Sequence, residues 1–127
     1  MRTLFFIGLL FCTVLSGCTS DTSASQEEEM QQLEKSYVEL VQLSTSQQCT
    51  DATEWHFTAI GSKACGGPTG YMAYSSKINT ALFLEKVKIY TNAQRDFNTK
   101  WGINSTCEVA PAPISIQCEN GKAVLKY

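Results

Sequence analysis

Histidine is almost missing from this chain of 127 residues: His56 is the only one. There are six cysteines, but no two are spaced Cys-x-x-Cys. A tetrahedral zinc site draws its ligands from Cys and His sets of that kind, so neither a metal nor another cofactor is expected. A phosphate-cradling loop is also excluded. Gly61 and Gly66 have the right separation, but a Walker loop continues with Lys and then Ser or Thr, and Gly67-Pro68 stands there instead. Basic residues are few and unclustered, 10 Lys and Arg against 12 Asp and Glu, for a net charge of −2. That balance excludes nucleic acid as a partner and gives no basic patch for docking to anionic lipid. After residue 18 no apolar run approaches the roughly 20 residues a membrane-spanning helix needs. No internal repeat is visible.

What the chain does have is an address. Met1-Arg2 supplies positive charge, Leu4 to Leu10 is an apolar run, and Phe11 to Leu15 continues it. Small residues close the run at Leu15-Ser16-Gly17-Cys18. A cationic start, a short apolar stretch and a small-residue end form a secretory signal. Leu15-Ser16-Gly17-Cys18 resembles the lipobox of bacterial lipoproteins. The resemblance covers residues 1–18 and implies cleavage before Cys18, a diacylglyceryl thioether on its sulfur and a further acyl chain, of the palmitate kind, on its amine. Each buried CH₂ contributes about 0.8 kcal/mol, so two or more chains hold firmly where one holds only marginally. In the enterobacterial pattern, Asp directly after the lipidated Cys retains a lipoprotein in the inner membrane. Thr19 occupies that place here, so the resemblance favours the outer membrane, facing the periplasm or the cell surface.

These readings divide the chain into a lipoprotein signal peptide over 1–17, a flexible tether over 18–26 and one small domain over 27–127. Cleavage would leave 110 residues and remove Arg2, taking the net charge from −2 to −3. That length suits one domain. The tether, CTSDTSASQ, has no apolar side chain to bury and would give clearance from the membrane. Cys12 leaves with the signal and Cys18 carries lipid, so Cys49, Cys65, Cys107 and Cys118 remain. An even number in a small exported domain implies disulfides. Of the three pairings available, Cys49–Cys65 and Cys107–Cys118 are expected, because each brackets one compact segment. Each such closure stabilises by roughly 3 kcal/mol in the chain-entropy model.

Periodicity supplies the elements. Met30, Leu33, Tyr37, Leu40 and Val41 recur at helical intervals, after Ser25 and with Glu27, Glu28 and Glu29 in the first turn. Carboxylates there favour the positive end of the helix dipole, so the triplet reads as a solvated helix start rather than a binding patch. The Gln-, Ser- and Thr-rich stretch from Leu43 to Gln48 ends this helix. Trp55, Phe57 and Ala59 alternate with polar residues and predict a half-buried strand. Tyr71 to Tyr74 predicts a second strand. A second helix follows, with Phe83, Val87, Tyr90, Phe97 and Trp101 on one stripe, Ser76 or Asn79 as cap and Gly102 as terminator. Ser105 to Val109 reads as a strand, broken by Pro111 and Pro113. Ile114 to Cys118 and Ala123 to Tyr127 form a hairpin around Glu119-Asn120-Gly121-Lys122. The fold class is therefore α+β, with two amphipathic helices packed on a small antiparallel sheet and two disulfides.

The segment between Cys49 and Tyr74 is the most unusual. Gly61-Ser62-Lys63-Ala64-Cys65-Gly66-Gly67-Pro68, followed by Tyr71 and Tyr74, is similar to a segment of small uncharacterised Cys-containing bacterial lipoproteins. The similarity runs from Cys49 onward and brings no activity with it. The loop reads either as a plain structural turn or as a fixed recognition element whose ordering cost is met in advance. In the second reading Cys65 is tied down, Lys63 is exposed, and Lys63 and Tyr71 are the candidate binding residues. No residue is assigned a catalytic role. His56 reads as the polar side of a strand, and Asp51 and Glu54 need a facing geometry that sequence does not supply.

The functional expectation is a non-enzymatic, lipid-anchored protein of the cell envelope that binds or inhibits a protein partner, such as a hydrolase that threatens the envelope. A structural or assembly role expects an uncovered stripe at Leu33, Leu40 and Val41. A small hydrolase expects His56 in a pocket beside a carboxylate or hydroxyl.

Overall fold

The computed structural model describes residues 24–127. The signal, the lipobox, Cys18 and most of the expected tether therefore lie outside the described residues. Among those described, no helix is long and apolar enough to cross a membrane.

The first helix, α1 (Gln26–Ser44), starts one residue inside the expected tether, and local chemistry sets its limits. The Ser25 hydroxyl accepts from the Glu28 N–H at 3.2 Å, and the Glu28 carboxylate accepts from the Ser25 N–H at 2.8 Å. This reciprocal pair satisfies two donors that a helix start otherwise leaves open. At the other end the hydroxyls of Ser44 and Thr45 donate to the Val41 carbonyl, and that of Ser46 donates to Leu43. Short hydroxyl side chains compete in this way with the main-chain ladder and stop the helix.

Strands β1 (Trp55–Ile60) and β2 (Gly70–Ser75) form an antiparallel pair with Trp55 opposite Ser75 and Ile60 opposite Gly70. Helix α2 (Thr80–Trp101) follows, capped by the Asn79 side chain, which accepts from the Leu82 N–H at 3.1 Å. It ends at Gly102, in the left-handed region at φ 60°. Strands β3 (Ser115–Glu119) and β4 (Lys122–Lys126) form the hairpin. Its two-residue turn places Asn120 at φ 51° and Gly121 at φ 76°, as a primed turn matched to strand twist requires.

The fold is α+β with two helices, as expected, but its strands form two separate two-stranded antiparallel sheets. The core joins Leu40 of α1, Ile60 and Met72 of the first sheet, and Phe83, Val87 and Tyr90 of α2. Of the expected stripe on α2, Phe83, Val87, Tyr90 and Phe97 are buried, and Trp101 is half-buried. The expected face of β1 is only half right. Trp55 is buried, while Phe57 and Ala59 are exposed. It is Ile60, from the opposite set, that enters the helix-packed core. Ser105 to Val109 is irregular and pairs with no strand. Pro113 lacks an N–H for a ladder, and the Ser105 hydroxyl instead accepts from the Cys65 N–H at 3.2 Å.

The disulfide pairing expected from spacing is overturned. Cys49 joins Cys118, and Cys65 joins Cys107, with Cα separations of 5.2 and 5.4 Å. The reason lies in strand direction. Cys49 precedes β1 and Cys65 follows it, and a six-residue strand spans about 20 Å, beyond the reach of a disulfide. The antiparallel layout brings the start of β1 to the hairpin turn, where the Cys49 N–H donates to the Gly121 carbonyl at 2.8 Å. It carries the loop between β1 and β2 to the segment after α2. The disulfides close separations of 69 and 42 residues, and loops of this size are worth about 4 kcal/mol each in the chain-entropy model.

Candidate functional site

Three elements that are remote in sequence enclose a groove of about 700 Å³, within the range of ligand sites. Tyr37 and the end of α1 form one wall, Tyr71 and Ala73 of β2 the second, and Ala123 and Leu125 of β4 the third. Each wall has a local origin. The Ser44–Ser46 hydroxyls end α1 at the first wall. The primed turn fixes the hairpin, and Cys49–Cys118 holds that turn beside the start of β1. Tyr71 is half-buried, and its ring meets Phe57 edge-on at 6.1 Å. Tyr37 is held at the rim by Tyr90, with ring centroids 5.7 Å apart. Burial, and then the neighbouring Tyr37, push the Tyr90 hydroxyl above the ordinary phenol value.

The groove is lined by aromatic, amide and hydroxyl side chains, with one cation, Lys122, and no carboxylate, imidazole or thiol. Its walls can therefore contribute apolar contact, hydrogen bonds and a single positive charge. The sequence reading found Tyr71 but not the groove, because its walls come from α1, β2 and β4 and share no spacing.

Lys63 lies elsewhere. Its ammonium donates to the Glu108 carbonyl, and it is only half exposed. The loop that carries it is fixed, as the recognition reading required, but Lys63 is spent on that fixing and does not meet Tyr71 in the groove. Cys65–Cys107 staples the tip, and one face of α2 holds the base. The Gly61 N–H donates to the Thr91 hydroxyl at 3.0 Å and the Ser62 N–H to Gln94 at 2.7 Å, while Asn98 donates to the Ser62 carbonyl at 2.7 Å. Sequence reasoning missed this polar row, although Thr91, Gln94 and Asn98 repeat at helical spacing.

The candidate catalytic groups are dispersed. His56 is exposed and lies beside Tyr74, with ring centroids 5.7 Å apart and planes tilted by 40°. Asp51 accepts from the N–H and hydroxyl of Thr53, at 2.9 and 2.7 Å, and these bonds hold its carboxyl below the usual range. Glu54 pairs with Lys77. Neither carboxylate is bonded to His56.

A smaller hollow of about 330 Å³ lies between α1 and α2 over Leu33 and Phe97. On its rim Glu29 pairs with Lys100 and accepts from the Trp101 indole at 2.9 Å. Those two bonds, that of Lys100 first, lower the Glu29 carboxyl from its ordinary value. Comparison with protein-family models, with curated proteins and with solved structures finds no match to this chain.

Proposed function

We propose that this chain is a lipid-anchored envelope protein, without enzymatic activity of its own, that captures a protein partner through the groove at Tyr71. The anchor reading rests on the lipobox resemblance at Cys18 and on Thr19 after it, which favours the outer membrane. Two disulfides linking distant parts of a small domain suit an oxidising compartment. The observation that carries the binding reading is the groove itself: preformed, lined by aromatic and amide groups, and rimmed by Tyr71. Interfaces favour aromatic anchors of this kind. The assembly role expected an open stripe on α1, whereas Leu40 is buried and Leu33 and Val41 pack against the core.

Two measurements test the proposal. An intact-mass spectrum of membrane-extracted protein should show a chain beginning at Cys18, acylated, and lighter by four hydrogens for its two disulfides. An uncut, unmodified chain would remove the anchor. A photo-crosslinking residue placed at Tyr71 in living cells should capture a discrete envelope protein, while the same residue at exposed Glu85 should not. Equal labelling at both positions would remove the groove. His56→Ala should leave the capture intact.

A further inference from the structure

Each of the two sheets has only two strands, so β2 and β4 each carry an edge that β1 and β3 do not use. The register shows which groups lie on those edges. One step beyond the Trp55–Ser75 pair that ends the first sheet, the Ser76 N–H donates to the Glu54 carbonyl at 2.8 Å. Bonded and non-bonded pairs alternate along an antiparallel ladder. His56–Tyr74 and Thr58–Met72 are therefore bonded pairs, and the main-chain groups of Tyr71 and Ala73 point away from β1. In the second sheet the two-residue turn closes on the Glu119–Lys122 pair. The same alternation turns the main-chain groups of Ala123 and Leu125 away from β3. All four outward-facing residues line the one groove. Among the described residues Tyr71 and Ala73 make no main-chain bond to any segment outside the β1–β2 pair.

We propose that the groove receives an extended peptide segment of a partner protein, which adds as a strand to the outer edge of β2. This rests on the capture reading above and names its chemistry. Open edges invite pairing, and folded proteins ordinarily cover, bend or charge them. Here two such edges border one cavity. Tyr71 and Ala73 offer two donors and two acceptors in alternation, a pattern that an extended main chain satisfies. Charge narrows the occupant further. Lys122 has no ion-pair partner among the described residues, since its cross-strand neighbour Glu119 is held by Lys126. With no acid in the lining, the groove suits a segment with a carboxylate near the hairpin end.

The test uses the full-length protein in detergent micelles and a blocked seven-residue peptide of alternating threonine and valine with one central glutamate. The readout is amide hydrogen exchange, residue by residue. The peptide should slow exchange at Tyr71 and Ala73 at least tenfold and saturably. The amides of Met72 and Tyr74, already bonded to β1, should change much less. Methylating alternate peptide nitrogens on the bonding edge should abolish the effect. Ala73→Pro removes one outward donor at an edge position where proline is tolerated, and should weaken binding at least tenfold with the circular dichroism spectrum unchanged. Lys122→Glu, at the exposed first residue of β4, should reverse the preference between the glutamate peptide and its lysine analogue.

No slowing at millimolar peptide, or equal slowing by the methylated peptide, would overturn the proposal. Protection at Tyr71 and Ala73 that rises with protein concentration alone would make a second copy the occupant and overturn it too. So would their deprotection on deleting residues 19–23, which would place the chain's own tether there. A crosslinked envelope partner at Tyr71 combined with a failed peptide would leave the capture reading standing and remove only strand addition.

Discussion

Glu29 shows how one side chain ties the two helices together. It accepts from Lys100 and Trp101, so its carboxyl stays ionised below the ordinary value of 4.5. A lowered folded-state value contributes stability that is present above the unfolded-state value and is lost as pH falls through the folded one. Thermal melts should therefore separate wild type from Glu29→Gln at pH 7, and the gap should shrink as pH is taken below about 4. A gap that widens in acid would contradict the assignment. Gly61 is a second sensitive residue. At φ 77° its added Cβ would stand 2.0 Å from the Thr69 hydroxyl and 2.5 Å from the Gln94 amide oxygen. Gly61→Ala should cost about 1–3 kcal/mol in urea denaturation, from left-handed backbone and steric clash together.

At the level of elements, the helices were legible because their signals are local. Ser25, three residues before Glu28, makes the cap, and Gly102 ends α2. Ser25→Ala should lower stability by about 1 kcal/mol, read as a shift of the denaturant midpoint. The hairpin was legible for a related reason, since Asn-Gly supplies the left-handed pair that its turn needs. Strand β1 was legible as a strand but not in its facing. Alternation marks two faces, and only the packed helices decide that Ile60 rather than Phe57 meets the core. The stretch from Ser105 to Val109 has strand-like composition but joins neither sheet, since β propensity yields to tertiary context.

For the molecule as a whole, the disulfides act as long-range ties. Cys49–Cys118 fastens the hairpin to the start of the first sheet, and Cys65–Cys107 fastens the loop after β1 to the segment after α2. Proteolysis under non-reducing conditions should yield cross-linked peptides containing Cys49 with Cys118 and Cys65 with Cys107. Replacing both members of either pair by Ser should lower unfolding stability by about 4 kcal/mol. Loss of Cys49–Cys118 should also disturb the groove, because β4 forms one of its walls. The Tyr71 photo-crosslink should weaken in Cys49→Ser/Cys118→Ser and be less affected in Cys65→Ser/Cys107→Ser.

The amino-acid order alone determined what depends on near neighbours: two capped helices, a tight hairpin, an even set of four cysteines after Cys18, and an α+β class. Folding in three dimensions decided which cysteines meet, which side of β1 is covered, and that Tyr71 shares a groove with α1 and β4 while Lys63 does not. The reason is range. Caps and turns form between residues a few positions apart, whereas pairing across 69 or 42 residues depends on strand direction and on how the helices and sheets pack.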